Sequence, residues 1–415
     1  MDIRNKRVCI IGAAKSGVAA ANLAQAMGGA VRISDSQPLA KLDRALAGLK
    51  DRGRVEVEAG GHTRDFVTAS DLVVASPGVW KDAPPLEWAR AAGIPVMGEI
   101  EFAWRFCTKP VIAVTGSNGK TTTVSLIARV LEAGGKKVSL CGNIGTPFSD
   151  KVIDGDVEIF VVEISSFQLE LCTTFRPKVA LITNFSQNHL DRHPTMEEYF
   201  EAKKRLFMNQ TADDHAILNA RDPLVARLKD EISSRVSFFN AEGEKDNPNY
   251  LAVLAVARIL GIAEAVTGKV LDEFTGVEHR LEHVRSLDGV EYINDSKSTT
   301  AEAGRWALER MQKPVVLIVG GFDKHIDYAC LRDLACQKVR VMVAFGAIRQ
   351  QFKDTFGDVL AVEVIDGGLD SAVAYARSVA HSGDCVLLSP MTSSFDMFKK
   401  FEHRGEVFKD IVRAF

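Results

Sequence analysis

The sequence predicts an α/β protein of three domains built on parallel sheets, and three observations carry that expectation. Short β-branched runs alternate with helical stretches almost from end to end, at 7–11, 111–116, 159–164, 179–184, 315–321, 341–346 and 385–390. These runs are apolar without polar alternation, the pattern of strands buried on both faces. The length of 415 residues exceeds what one core serves, and joints fall near 93–101 and 274–284. The expected division is 1–98, 99–276 and 277–415.

Hydrophobic residues make up 46% and charged residues 25%, with a formal net charge of −3. That is a soluble globular composition, with no charge excess to hold nucleic acid or anionic lipid. The apolar run at the N-terminus stops at Ile11, too short for a secretory signal, and no run approaches the roughly 18 residues of a membrane span. The seven cysteines are scattered with no C-x-x-C pair. Free thiols in a reducing cytoplasm, and no cysteine-bound metal, are expected.

The first element, 6–36, reads strand, glycine turn, helix, strand, with Gly12, Ala14 and Gly17 in the turn and Asp35 after the second strand. This is a Rossmann-like unit. Ala14 stands where a dinucleotide fold wants glycine, which argues against NAD.

The strongest local signal is VIAVTGSNGKTTTVSLIARVLEAGG at 111–135. A buried strand runs into Gly116, Ser117, Asn118, Gly119, Lys120, Thr121 and Thr122, and a helix follows. Glycines let backbone N–H groups converge on phosphate oxygens, the helix N-terminus favours negative charge, Lys120 reaches outer phosphates and the Thr121 hydroxyl suits Mg²⁺. The pattern is a shortened phosphate loop, with Val114 in place of a further glycine.

Downstream, VVEISSFQLE (161–170) puts Glu163 at a strand end, followed by Ser165 and Gln168. A carboxylate at the C-terminal edge of a parallel sheet is placed to hold Mg²⁺ beside that loop. ITNFSQNHLDRH (182–193) then brings Asn184, His189, Asp191 and His193 from another strand end, and Tyr199, Ala202, Lys203 and Phe207 follow at helical spacing. In the last third, GVEHRLEHV, NDSKSTT, GGFDKHIDY and LSPMTSSFDMFKKFEHRGEVF supply further polar loops. Lys324 is expected at a strand end. Ser393 to Asp396 reads as a capping box opening a helix that carries Phe398 and Phe401.

TGSNGKTTT, EISSFQLE, N-x-S-x-x-H-L-D-R-H and Y-x-x-A-K-x-x-x-F, in this order, resemble the central domain of the Mur ligases, and the last-third motifs extend the resemblance over nearly the whole chain. E-x-S-S-F-Q-L is similar to the branch that adds D-glutamate. The resemblance implies a Rossmann-like first domain for UDP, a central P-loop domain for ATP and a Rossmann-like C-terminal domain for the amino acid. It implies an ATP-dependent acid–amine ligase of peptidoglycan precursor synthesis, passing through an acyl phosphate. Its partners would be small molecules only: UDP-N-acetylmuramoyl-L-alanine, D-glutamate and ATP. A cytoplasmic monomer is expected.

Residue by residue, the resemblance puts Lys15, Ser16, Gly17, Asp35, Ser36, Ser76, Asn143, Ser165, Gln168 and His189 on the UDP substrate. Gly116 to Thr122, Asn249, Arg280 and Asp295 go to ATP. Thr121, Glu163, His189 and a carbamylated Lys203 would hold two Mg²⁺ ions. Lys297, Thr299, Lys324, Ser394 and Phe401 would receive glutamate, and Lys120, Glu163, His189, Lys203, Arg280 and Lys324 are the expected catalytic set. The chain departs from the family at Lys245–Asn249, where only Asn249 of an adenine motif stays in register, and at Asn188 and Thr300. The stretch from Asn219 to Asn249 is also short. Alternatives are the same chemistry with L-glutamate, a folylpolyglutamate-synthase-like ligase, a non-catalytic nucleotide-binding paralogue and a dehydrogenase.

Overall fold

A computed structural model describes residues 1–187, 192–244, 246–274, 276–323 and 326–415. The chain forms two compact units, Met1–Phe274 and Thr275–Phe415. The first contains two sheets and the second one, so three sheets carry the fold.

In the first sheet, β1 (Arg7–Ile11), β2 (Ala30–Asp35), β3 (Val55–Ala59), β4 (Leu72–Ala75) and β5 (Val96–Gly98) run in the order β3-β2-β1-β4-β5. All its pairings are parallel. Val8, Cys9, Ile10 and Ile11 are buried completely, as an apolar run without alternation requires.

The second sheet contains β6 (Val111–Thr115), β7 (Val138–Gly142), β8 (Ile159–Glu163), β9 (Val179–Ile182), β10 (His215–Asn219) and β11 (Arg235–Phe239). Its order is β11-β10-β9-β6-β8-β7, again parallel throughout. One apolar cluster runs from Val8 and Val74 through Ile100 and Phe102 to Val111 and Phe160. The first two sheets share this core, which makes a single unit of them.

The second unit contains β12 (Glu282–Leu287), β13 (Val290–Asn294), β14 (Val315–Gly320), β15 (Val339–Phe345), β16 (Ala361–Val364) and β17 (Cys385–Leu388), in the order β12-β13-β17-β14-β15-β16. Here the expectation of purely parallel sheets needs correction, because β12 and β13 are antiparallel. Asp288 and Gly289 join them with φ of 53° and 78°. Two successive positive φ angles match the twist of a tight hairpin, and Asp-Gly is its sequence signature.

A second correction concerns the last helix. It spans Phe401–Arg413 with Lys400 as N-cap, and residues 391–400 form bends and turns. Ser393 does not cap it, and Phe398 precedes it. The Asp396 carboxylate instead accepts the Ala347 N–H at 3.1 Å, so a tertiary donor at the end of β15 outcompetes the local cap.

Both sheets of the first unit reverse their strand order, between β1 and β4 and between β6 and β8. Such reversals open a crevice outside the carboxyl ends of the strands, where ligands bind in open α/β sheets.

Candidate active site

At the first reversal, Gly12 leaves β1 with φ of 91° and the helix Lys15–Ala26 begins. The Ser76 hydroxyl, from the end of β4, donates to the Gly12 carbonyl at 2.7 Å, and Asp35 accepts the Ala13 N–H at 2.6 Å. A Cβ on Gly17 would strike the Gly12 carbonyl, so this position demands glycine. Ala14 sits at φ −71°, a conformation that needs none.

The crevice is a cavity of about 480 Å³ lined by Lys15, Ser16, Asp35, Ser36, Ser76, Asn143 and Gln168, seven of the residues expected on the UDP substrate. Gly17 lies in the first turn of the helix Lys15–Ala26 and is not among the lining residues. Ser165 caps the short helix Ser166–Leu169, its hydroxyl and N–H both on the Gln168 side chain. The Lys15 ammonium donates to the Gly145 carbonyl and so joins the first sheet's turn to the loop after β7.

At the second reversal, β6 runs into a loop braced by the end of β9. Asn184 accepts the Asn118 N–H at 2.9 Å through its side chain and the Ser117 N–H at 2.9 Å through its carbonyl. Thr183 donates to the Asn118 carbonyl at 2.6 Å, and Ser117 Oγ donates to the Ser186 carbonyl. Gly119 (φ 81°) then caps the helix Lys120–Ala133. The first-turn N–H groups of a helix have no acceptor within it, so those of Lys120, Thr121 and Thr122 edge the loop. Asn249, in the first turn of helix Pro248–Ile259, lies with Oδ1 3.4 Å from Thr123 Oγ1.

Glu163 closes β8 beside β6 and is 2% exposed. Its Oε1 accepts from the Asn143 amide at 2.8 Å, while Oε2 is buried without a hydrogen-bond partner among the described residues. An unsatisfied buried carboxylate oxygen is expensive unless a cation meets it. The unpartnered oxygen therefore fits a hard divalent ion such as Mg²⁺.

Lys203, on helix Met196–Lys204, is 1% exposed. It and Lys120 donate to the same Gly116 carbonyl, at 3.0 and 2.8 Å. Burial, and then the Lys120 charge, push the Lys203 amine well below the usual lysine range. Phe207 follows beyond the end of this helix. His193 is held by Ser166 at 2.9 Å, and burial lowers its pKa. His189 and Asp191 lie outside the described residues, as do Asn188, Lys245 and Lys324.

In the second unit, the loops after β13, β14 and β17 meet. His279 (φ 63°) is pinned by Asn294, with its Nδ1 2.9 Å from that amide. Arg280 has its guanidinium 5.6 Å from the Trp306 ring and its Nε buried without a hydrogen-bond partner among the described residues. Asp295 accepts from Leu281 N–H and the Ser389 hydroxyl, and burial raises its pKa to about 7 against the opposing Arg280 charge. The Lys297 ammonium lies 5.4 Å from the Phe401 ring; Ser394 is buried and Thr299 half-buried. Thr300 caps the helix Ala301–Arg310, accepting the Ala303 N–H.

Sequence reasoning missed Arg404. Fully buried, it donates to the Ser296 hydroxyl and carbonyl at 3.0 and 2.9 Å and to the Thr392 carbonyl at 3.1 Å. It thus ties the loop after β13 to the loop after β17. Its signal was available, since Phe401, Arg404, Phe408 and Val412 share one helical face, and an arginine there has to be bonded inside. Arg192 was likewise read only as part of a motif. It donates to the Pro77 and Val79 carbonyls and to Glu170, fastening the loop after β4 to the segment behind His193.

A phosphate loop at one switch point, a second glycine turn at another and a third α/β unit define a nucleotide-dependent enzyme of several domains. Residues 6–98 match the Mur ligase MurD-like N-terminal domain, and 114–257 match the Mur ligase middle domain. The UDP-N-acetylmuramoylalanine–D-glutamate ligase of Koribacter versatilis is 41% identical over 449 aligned positions, covering 100% of this chain and 98% of that protein. The ligase of the same name from Acidobacterium capsulatum is 40% identical, covering 100% and 97%. The solved UDP-N-acetylmuramate-alanine ligase of Thermotoga maritima shares the fold, with a TM-score of 0.61 at 19% identity over 99% of this chain and 100% of that one. The chain belongs to the Mur ligase family.

Proposed function

We propose that this protein is an ATP-dependent ligase that joins D-glutamate to UDP-N-acetylmuramoyl-L-alanine in peptidoglycan precursor synthesis. The observation that carries this reading is Glu163, a buried carboxylate on the strand beside the phosphate loop with one oxygen unpartnered among the described residues. A kinase-like loop alone leaves the acceptor open. The full-length identity to relatives named for D-glutamate addition favours this acceptor.

Residues 1–98 are assigned to the nucleotide sugar, 99–276 to ATP and 277–415 to glutamate. Joining a carboxylate to an amine is uphill in water, so the alanyl carboxylate is first phosphorylated by ATP and the glutamate amine then displaces phosphate. Two anions must approach in the first step, and cations therefore carry most of the catalysis. Lys120 and the loop N–H groups hold the outer phosphates. Thr121 and Glu163 would hold one Mg²⁺, which when bound neutralises phosphate charge. Lys203, with His189, would hold a second.

An amine supplies no anionic oxygen, and we assign Lys203 as a carbamate. Its depressed pKa supports this, because a neutral amine attacks CO₂, and the carbamate removes the conflict of two ammonium groups on one carbonyl. Lys297, Thr299, Lys324, Ser394 and Phe401 are assigned to glutamate, the cations and hydroxyls facing its carboxylates. Among the described residues no helix is long and apolar enough to cross a membrane. We assign a cytoplasmic enzyme, in keeping with seven free cysteines. We assign it as a monomer acting on small molecules.

The test is phosphate release from ATP with UDP-N-acetylmuramoyl-L-alanine and D-glutamate, L-glutamate or no amino acid. Release should require D-glutamate and fall by about 10²–10³-fold in Lys120→Ala. Release with L-glutamate alone would overturn the acceptor; silence with every acceptor despite ATP binding would overturn the ligase reading.

A further inference from the structure

His62 lies on the wall of the first-sheet cavity together with Asp35 and Ser36, and no step above uses it. Its Nδ1 is 2.7 Å from the hydroxyl of Ser34, a fully buried residue of β2. The same hydroxyl lies 2.6 Å from Glu58 Oε2, and Glu58 also accepts the Thr63 N–H at 3.1 Å and the Thr63 hydroxyl. Burial pushes the Glu58 carboxyl up, but the hydrogen bonds from Ser34 and Thr63 outweigh it and hold it below its ordinary value. Glu58 is therefore a carboxylate, and it can only accept.

A proton count then fixes the chain. Ser34 has one O–H, and the short contact to Glu58 requires it there. Ser34 Oγ can consequently meet His62 only as an acceptor, which puts a proton on Nδ1. Burial, partly offset by Asp35 and Glu58, lowers the His62 pKa, so the ring is neutral at pH 7. A neutral imidazole protonated on Nδ1 carries a lone pair on Nε2. Among the described residues Nε2 has no hydrogen-bond partner.

We propose that His62 reads the base of the nucleotide sugar, its Nε2 accepting the N3–H of uracil, so that the chain Glu58–Ser34–His62 selects uridine over cytidine diphosphates. Uracil presents N3–H as a donor between two carbonyls. Cytosine presents a bare N3 that would face the Nε2 lone pair, and a site built around a hydrogen bond rejects the analogue that cannot make it. The Ser36 hydroxyl on the same wall can donate to a flanking carbonyl. This inference rests on the assignment of the cavity to the nucleotide sugar, and it names the group that tells one pyrimidine from another.

Calorimetric titration of the full chain with UDP and with CDP tests it. UDP should bind at least about tenfold more tightly than CDP to the wild type. His62→Phe, which keeps a ring without an acceptor, should lose affinity for UDP and bring the two within about threefold of each other. Ser34→Ala keeps the imidazole but frees its tautomer, and it should narrow the ratio as well. ATP titration of each variant reports that the fold is intact. An unchanged UDP-to-CDP ratio in both folded variants would overturn the role of His62 while leaving the ligase reading standing. Absence of UDP binding by the wild type would overturn the assignment of the cavity, and the inference with it.

Discussion

The two glycine turns of the first unit share a plan, strand to turn to helix at a switch point, yet they are closed in different ways. The turn after β1 is short, and its Gly12 carbonyl and Ala13 N–H are taken by side chains from β4 and β2. The loop after β6 is longer, and Thr183, Asn184 and Ser186 behind β9 hold it open from the side. The first turn leaves a cavity lined by serine hydroxyls, one lysine, the Asn143 and Gln168 amides, the Asp35 carboxylate and the His62 ring, the setting proposed for a sugar diphosphate and its base. The second gathers Lys120, Lys203 and the buried Glu163, a concentration of charge that suits phosphoryl transfer. The same backbone motif is thus finished differently in the two places, according to what the neighbouring strands supply, and that difference underlies the proposal of binding at the first turn and chemistry at the second.

The largest way to break this contrast is at the charged turn. Lys203→Ala should lower turnover by about 10²-fold or more while leaving UDP affinity intact. Addition of a short carboxylic acid should restore part of the rate, because it replaces the missing carbamate oxygens; an unresponsive variant would contradict the carbamate. A smaller effect separates the turns directly. Gly119→Ala places a Cβ at φ 81° and 2.5 Å from Asn249 Oδ1, and the strain of about 1–2 kcal/mol should weaken ATP binding by about tenfold without touching UDP. Gly12→Ala, at φ 91° with a Cβ 3.1 Å from Ser76, should do the reverse. Calorimetry with each nucleotide reads both.

The smallest effect lies away from both turns, where the helix after β5 meets the helix after β7. Glu99 follows β5, accepts the Ser149 N–H at 2.6 Å and has its other oxygen buried without a partner among the described residues. Burial raises its pKa from 4.5 to about 7. Below 4.5 both folded and unfolded chains are protonated there. Between 4.5 and 7 the unfolded chain gives up its proton first, so stability falls as pH rises and the loss is complete above 7, at up to about 3 kcal/mol. Glu99→Gln removes the ionisation. Its melting temperature should exceed the wild type's at pH 8 by several degrees and by little at pH 5; an equal shift at both would contradict the account.

Much of this was legible in the residues. Apolar runs such as IFVVE and VVLIVG can only be strands covered on both sides, and the phosphate loop declares itself through glycines at positions of positive φ. What stayed hidden depends on partners distant in sequence. Asp396 looks like a local cap until Ala347 claims its carboxylate, and the Asp288–Gly289 turn makes an antiparallel hairpin at the edge of an otherwise parallel sheet. His62 carries no motif, and its role emerges only when β2 and β3 set Ser34 and Glu58 beside it. Arg404 was visible as a charge on an apolar helical face, but the carbonyls it satisfies come from loops about 12 and 108 residues away.

The central claim is that the substrate carboxylate is activated by phosphorylation. The most direct measurement uses UDP-N-acetylmuramoyl-L-alanine labelled with ¹⁸O in the alanyl carboxylate, with ATP and D-glutamate, and mass analysis of the released phosphate. Attack of the carboxylate on the γ-phosphate predicts that one ¹⁸O atom per turnover passes into phosphate. Turnover that leaves the phosphate unlabelled would contradict it.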